Sequence, residues 1–209
     1  IEVRIAQLAG MRMRTAIVTR LLGAFAFAWL LYVFYHQTQT QQGPAHMVWQ
    51  PDPIADGMDN WVWAQVKALG MIQLVIIVLL TFLKILRLIG VEKVIQWLLR
   101  PMLKLMGIGK EASTITLVGI TLGLSFGGGL LIKEANAGHV SKQDVFTSLI
   151  FLGFCHSLIE DTLLVLLLGA HLWGILWFRL VFAFVFTWAV SYWLTKMSPE
   201  FQQKYLLRP

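Results

Sequence analysis

Residues 119–162 of the chain read GITLGLSFGGGLLIKEANAGHVSKQDVFTSLIFLGFCHSLIEDT, a stretch in which glycines and ionisable residues interrupt a strongly apolar sequence. Ionisable residues at membrane depth are costly, and they usually face a cavity or one another. Glycine clusters at that depth allow helices to approach closely or to break. The stretch therefore predicts a site for membrane transport, although it does not identify the solute.

The composition of the whole chain indicates an integral membrane protein. Of its 209 residues, 57% are apolar and 13% are charged, whereas a soluble domain carries about 25% charged residues. The net charge of +6 suits membrane flanks rich in Lys and Arg, so membrane lipid is an expected partner and nucleic acid is not. The single cysteine excludes an intramolecular disulfide and any multi-cysteine metal centre, and we expect no cofactor and no bound metal.

The N-terminal part of the chain predicts an anchor helix and an external loop. An apolar span runs from about Thr15 to Tyr35, and no small-residue cleavage site follows it, which favours an uncleaved anchor. The polar segment 36–60 has three Asp residues and no Lys or Arg, so the positive-inside rule makes it external and the N-terminus cytoplasmic. Because the chain begins at Ile1, Met11 and Met13 are both candidates for the native start.

We therefore divide the chain into an N-terminal unit, residues 1–60, and a membrane domain, residues 61–209. Hydropathy predicts three further spans, which run over about Trp61–Leu86, Val145–Ala170 and Gly174–Leu194. Between the first two of these spans, Val91–Met106 alternates basic and apolar residues and predicts an amphipathic helix at the cytoplasmic surface. Ser141 is the expected N-cap of the helix that follows it, with Asp144 three residues later.

Charge parity predicts a re-entrant hairpin over about residues 113–137. Basic residues before Ser113 and in the C-terminal tail place both positions in the cytoplasm. Counting the spans back from the tail returns the chain to the cytoplasm by Gly138, so residues 113–137 dip into the membrane and return. The other interpretation, one full crossing through Ser113–Ala137 with an external C-terminus, violates the charge bias of the tail. The predicted fold class is all-α, with about four transmembrane helices, the hairpin and the interfacial helix.

The glycine triplet Gly127–Gly129 is the expected tip of this hairpin, because three consecutive glycines weaken a helix. Backbone groups exposed at such a tip can bind a ligand. Gly119 and Gly123 share a helical face with Gly127 and predict close helix contact.

The third span, over about residues 145–170, is predicted to be broken and to carry ionisable residues near the bilayer midplane. His156 and Glu160 are four residues apart and share a helical face, as do Ser157 and Asp161. Lys133 is one candidate partner of the carboxylates, either in a salt bridge that fixes the hairpin or at a solute site. The metal-ligating signal from Cys155, His156 and Glu160 is weak. The predicted substrate-binding residues are Gly127, Gly128, Gly129, Lys133, Glu134, Asn136, His156, Ser157, Glu160, Asp161 and Thr162.

Two of these segments, Phe126–Gly138 and His156–Thr162, together resemble the nucleoside-recognition or Gate domain. This domain is shared by concentrative nucleoside transporters, the ferrous-iron transporter B and the spore maturation membrane proteins. The resemblance covers about Lys67–Thr195, and it implies that a hairpin, a broken helix and a further span form one half of a transport core. The nucleoside transporters carry Gln-Thr-Glu in the hairpin where this chain has Gly127–Gly129, so the resemblance implies no particular substrate.

The predicted function is a small-solute transporter, or a subunit of one, in the bacterial inner membrane, with both termini cytoplasmic. It is not expected to be an enzyme. The alternative is a non-transporting scaffold that partners another Gate-domain protein. Because the chain has only one hairpin and one broken helix, a partner is expected to cover the site. We expect a parallel homodimer first, and otherwise a hetero-complex with a second Gate subunit. Gly119, Gly123 and the last span are the expected contact surfaces.

Overall fold

The computed structural model describes residues 2–40, 43 and 56–207, and within these ranges the chain is helical without β-strands. It is an all-α integral membrane protein. The helices are α1 Glu2–Leu8, α2 Met13–Thr38, α3 Met58–Leu88, α4 Val91–Leu105, α5 Lys110–Leu122, α6 Leu124–Asn136, α7 Lys142–Cys155, α8 Leu158–Leu167, α9 Arg179–Lys196 and α10 Pro199–Phe201. π-Helical segments precede α9 at Trp173–Phe178 and follow α10 at Gln202–Leu206.

Four stretches of helix are long and apolar enough to cross a membrane, as the hydropathy predicts. They are α2, α3, the interrupted helix Lys142–Leu167 and the continuous helix Trp173–Lys196. The first two extend a few residues beyond the predicted spans at both ends. Most of the predicted external loop 36–60 lies outside the described residues.

Helices α5 and α6 form the predicted hairpin, but its tip is Gly123 rather than the glycine triplet. Each arm has 13 residues, or about 20 Å of helix, against about 30 Å of hydrocarbon core. Gly123 has a φ of 85°, a conformation open to glycine at little cost. The triplet Gly127–Gly129 continues as helix within α6, so its prediction as the tip is wrong.

The triplet is helical because packing compensates for its low helix propensity. A methyl group added at Gly127 would meet the backbone of Gly119 on the opposite arm. These two residues lie at equal distances on either side of Gly123, as an antiparallel hairpin requires. Gly119 in turn lies against the Leu152 side chain. The faces of Gly119 and Gly123 are thus occupied within the chain, which corrects their prediction as surfaces for a second molecule.

The chain enters and leaves the hairpin on the same side of the membrane. Gly109 immediately precedes α5, and Asp144 lies in the first turn of α7. The Gly109 N–H donates to Asp144 Oδ1 over 3.3 Å. Asp144 also donates its own N–H to the Ser141 hydroxyl over 3.0 Å, so the predicted N-cap is confirmed. Because the positions before and after the hairpin are in contact, α5 and α6 together do not cross the membrane.

Helix α7 is the centre of the molecule. Residues Val145–Leu152 are all buried, and they pack against the hairpin, α2 and α9. The Thr147 and Ser191 hydroxyls are 3.1 Å apart, which joins the start of α7 to the end of α9. The Arg12 N–H donates to the Leu206 carbonyl over 2.9 Å. The start of α2, the start of α7 and the end of α9 are therefore on one side.

Helix α4 has the predicted amphipathic pattern. Leu99 and Leu103 are buried while Lys93, Arg100 and Lys104 are exposed. Helix α4 packs along α5. The preceding helix, α3, contacts α4 and α8, and its apolar side chains are largely exposed.

Candidate functional site

The tip of the hairpin lies directly against the break in the third span. A Cβ atom added at Gly123 would lie 3.0 Å from the Ser157 hydroxyl oxygen. Helix α7 ends at Cys155, His156 is extended, and Ser157 has a left-handed backbone with a φ of 48°. The structure therefore brings two interruptions of helical backbone together, as the prediction of a hairpin facing a broken helix requires.

The break changes the geometry predicted for the ionisable residues around it. His156 and Ser157 precede α8, whereas Glu160 and Asp161 lie in its first turn. The Asp161 N–H still bonds to the Ser157 carbonyl over 2.9 Å. However, the four residues do not form two faces of one continuous helix, and this part of the prediction is wrong. His156 and Glu160 consequently have different surroundings.

Arg179 connects the break to the last span. Its Nε donates to the Phe154 carbonyl over 2.5 Å, and Nη2 donates to the His156 carbonyl over 3.4 Å and to Asp161 Oδ2 over 2.9 Å. The partner of Asp161 is thus Arg179 and not Lys133, which corrects the predicted pairing. One guanidinium stabilises carbonyls freed by the end of α7 and neutralises a carboxylate in the membrane.

A second cluster of charges stabilises the same break from the other side. Glu2 in α1 forms ion pairs with Arg20 in α2 and, over 2.8 Å, with Nε2 of His156. Arg20 also donates to the Gly153 carbonyl over 3.4 Å, and Nδ1 of His156 lies 3.0 Å from the Leu152 carbonyl. The imidazole of His156 thus lies between the Glu2 carboxylate of α1 and the carbonyl of Leu152, in the last turn of α7.

Glu160 points to a cavity rather than to an ion-pair partner. A cavity of about 480 Å³ is lined by Glu160 and Ile159 of α8, Thr121 of α5 and the C-terminal part of α3. Lys84, Arg87 and Glu92 also line it, and Arg87 pairs with Glu92 over 2.8 Å. Within the described part of the chain, Glu160 and Lys84 form no ion pair.

Thr162 is the last predicted residue on α8, and its hydroxyl has no hydrogen-bond partner among the described residues. It is 6% exposed. It lines a separate apolar cavity of about 270 Å³ between α4, α8 and the last span. Thr162 therefore lies one turn beyond the break without sharing the cavity of Glu160.

The predicted residues of the hairpin's returning arm lie away from the break. Lys133 and Asn136 are exposed near the end of α6, about ten or more residues and roughly 15 Å of helix from the tip. Glu134 pairs with His139 over 2.7 Å. Gly127 and Gly128 are buried in helical packing, and Gly129 is exposed. The structure does not bring these six residues to the cavity.

Cys155 is completely buried and its thiol is unpaired. Across residues 2–40, 43 and 56–207, no group of three or more His, Cys, Asp or Glu side chains is arranged to hold a metal ion.

Sequence reasoning missed Arg20, Arg179 and Glu2 as parts of this arrangement. Arg20 and Arg179 both lie within apolar spans, and an arginine at that position normally pairs with a carboxylate or with backbone carbonyls. That signal was present in the sequence. The role of Glu2 could not be found in this way, because the short helix α1 carries no transmembrane pattern.

Comparison with known proteins supports the membrane assignment. The chain is similar to a protein of Bacillus subtilis (strain 168) described as the uncharacterized membrane protein YvoD, with 33% identity over 150 residues. The match covers 68% of this chain and 48% of that protein, so the chain spans about half the length of the curated relative it matches. No family model matches the chain, and no solved structure matches it.

Proposed function

We propose that the protein transports a small polar solute, alone or as a subunit, and that the solute binds in the Glu160 cavity. The observation that carries this proposal is the contact of Gly123 with Ser157 beside a cavity lined by Glu160 and Thr121. Discontinuous helices that meet within the membrane are typical of transporter sites. A carboxylate without an internal partner at such a place is suited to bind a cationic group.

The charges around the cavity indicate the class of solute. Glu160 lies on one wall, and Lys84 with the Arg87–Glu92 pair lies on another. The cavity can thus contact a positive and a negative group of one molecule, so a zwitterion such as an amino acid fits it better than a simple anion. A coupling cation at Glu160 is the other use of the same carboxylate. Asp161, neutralised by Arg179, then orients α8 and does not bind the solute.

The proposal that the chain forms part of a transport core rests on its resemblance to the Gate domain. The hairpin, the break and the following span occur in the order that the resemblance implies. The side that carries the start of α2 and the end of α9 is then the cytoplasmic side, in a bacterial inner membrane, as the positive-inside rule predicts. The division of the chain at residue 60 stays a prediction.

Purified protein in detergent tests the proposal by thermal-shift screening against amino acids, organic acids, nucleosides and divalent cations. A solute that stabilises the protein is then measured for uptake in proteoliposomes. Glu160→Gln should abolish both the stabilisation by solute and the uptake while the melting temperature without solute stays close to that of the wild type. The matched control is Glu111→Gln, an exposed carboxylate in the first turn of α5, at the end of that helix away from Thr121 and the cavity.

A non-transporting scaffold is the second candidate, and the internal neutralisation of Asp161 favours it. In a scaffold, the polar groups at the break serve only to hold α7, α8 and α9 together. A scaffold predicts that none of the solutes binds and that Glu160→Gln behaves like Glu111→Gln in every assay. Unchanged uptake by Glu160→Gln would likewise reject the proposed site.

A further inference from the structure

A further cavity, here called the boundary cavity, lies between the end of α4, the start of α7 and the end of α9. Its volume of about 190 Å³ is below the roughly 300–1,000 Å³ of cavities that hold drug-sized ligands, so it suits a small polar group. Because α7 begins and α9 ends at a membrane boundary, the cavity lies at the depth of lipid head groups. The residues that line it are Leu105, Met106, Gly107, Gln143, Asp144, Thr147, Trp188, Ser191, Tyr192 and Thr195.

The charge of the boundary cavity favours a positive group. Among the described residues that line it, Asp144 is the only one charged at neutral pH, and it forms no ion pair within the described ranges. Its Oδ1 accepts the Gly109 N–H over 3.3 Å, and Oδ2 has no donor among the described residues. The end of α4 adds backbone carbonyls, because the last carbonyls of a helix lack partners within it and carry a partial negative charge.

Hydroxyls and aromatic rings complete the lining and indicate which cation fits. The Thr147 and Ser191 hydroxyls, 3.1 Å apart, can accept hydrogen bonds from a bound group. The rings of Trp188 and Tyr192 stack with centroids 5.9 Å apart and an interplanar angle of 19°, and both side chains are about half exposed. An aromatic face attracts an organic ammonium, whereas hard metal cations prefer oxygen ligands. The combination of acceptors and rings therefore favours a primary ammonium group.

We infer that the boundary cavity binds the ammonium of an ethanolamine phospholipid. Trp188 and Tyr192, half exposed at the end of a membrane-spanning helix, open the cavity to the lipid layer, which favours a lipid over a free amine. Lys196 lies one turn further along α9, is exposed, and has its Nζ 5.2 Å from the centre of the Tyr192 ring. Asp144 inside and Lys196 outside thus complement the ammonium and the phosphate of one zwitterionic head group.

Native mass spectrometry of the full chain in detergent tests this inference by titration with phosphatidylethanolamine, phosphatidylcholine, phosphatidylglycerol and free ethanolamine. Phosphatidylethanolamine should bind about tenfold more tightly than the other two lipids, because a quaternary ammonium donates no hydrogen bond and glycerol carries no charge. Asp144→Asn keeps an oxygen that can accept the Gly109 N–H but loses the charge, so it should weaken phosphatidylethanolamine binding about tenfold. Glu111→Gln, which changes an exposed carboxylate in the first turn of α5, is the matched control and should bind as the wild type does.

A second pair of variants keeps the test independent of the role of Asp144 in the hairpin entry. Trp188→Leu removes part of the aromatic wall and should weaken phosphatidylethanolamine binding, whereas Trp193→Leu, on the same helix but outside the lining, should not. Fluorescence melting checks that each variant is folded. Equal binding of the three lipids, unchanged binding by Asp144→Asn, or binding of free ethanolamine as tight as that of the lipid would each overturn the inference. Lipid binding is measured without solute, so this test succeeds or fails separately from the proposed transport function.

Discussion

Gly123 and Ser157 lie in contact, and each has a positive φ, 85° and 48° respectively. Gly123 ends the first arm of the hairpin, and Ser157 lies between α7 and α8. Each interruption exposes backbone groups that helices normally satisfy. Backbone of this kind is tolerated at membrane depth only where protein or water covers it. The two breaks cover one another, and the Glu160 cavity opens beside them.

Gly123→Ala should destabilise the fold by about 1–3 kcal/mol, since Ala at this φ is strained and its Cβ would lie 3.0 Å from Ser157 Oγ. The measurement is thermal unfolding in detergent, followed by tryptophan fluorescence. Gly129→Ala is the matched control, because a Cβ there meets nothing within 4 Å inside a helix. It should be neutral or stabilise by up to about 1 kcal/mol. Equal effects of the two substitutions would contradict the placement of the tip.

The sequence predicted the spans and the hairpin because both follow from average properties. Hydropathy over about 20 residues locates a membrane-spanning helix, and the count of Lys and Arg in the flanks requires the chain to return at residues 113–137. Ser141 was predictable as an N-cap because its hydroxyl needs only the local N–H of Asp144. These features do not depend on which helix packs against which.

The tip and the partners of the charges depended on tertiary contacts and were therefore missed. Helix propensity favours a break at Gly127–Gly129, but the contact of Gly127 with Gly119 keeps that segment helical. Asp161 has its partner 18 residues further along the chain, in Arg179. Lys133 was closer to the predicted tip, yet the shift of the tip to Gly123 places it near the opposite end of the hairpin arm.

Gly127→Leu should separate the arms of the hairpin, because the side chain would overlap the backbone of Gly119. Overpacking in a well-packed interior costs about 1–3 kcal/mol, and more where the obstacle is backbone. Lower yield of folded protein and a lower melting temperature are expected in size-exclusion chromatography and fluorescence melting. Gly129→Leu, on the exposed side of the same triplet, should leave both unchanged. If Gly127→Leu is tolerated equally well, α5 and α6 do not approach closely.

Cysteines introduced at Lys110 and His139 should be labelled from the same side of the membrane. The hydrogen bond of Gly109 with Asp144 places the entry and the exit of the hairpin together. Both positions are exposed, whereas the native Cys155 is buried and gives little background. A membrane-impermeant maleimide on oriented vesicles and spheroplasts makes the measurement. A cysteine at His171, between the last two spans, should be labelled from the opposite side. Labelling of positions 110 and 139 from opposite sides would show that residues 113–137 cross the membrane and do not form a hairpin.

The last prediction concerns the Arg179–Asp161 pair, which a double-mutant cycle separates from the other bonds of Arg179. Asp161→Asn removes the ion pair but keeps an oxygen that can accept from the guanidinium, so its cost should be the smaller. Arg179→Gln also loses the bonds to the Phe154 and His156 carbonyls, and it should cost about 2 kcal/mol or more. The coupling free energy between the two substitutions should lie at about 0.5–3 kcal/mol.

Denaturant titration in detergent micelles gives the four free energies of unfolding that this cycle needs. Arg179→Lys keeps the charge but lacks the planar fork that reaches two carbonyls and a carboxylate together, so it should recover only part of the loss. A coupling near zero would mean that the ion pair does not hold the break. Arg179 would then stabilise the break through the Phe154 and His156 carbonyls alone, and Asp161 would no longer be the residue that orients α8.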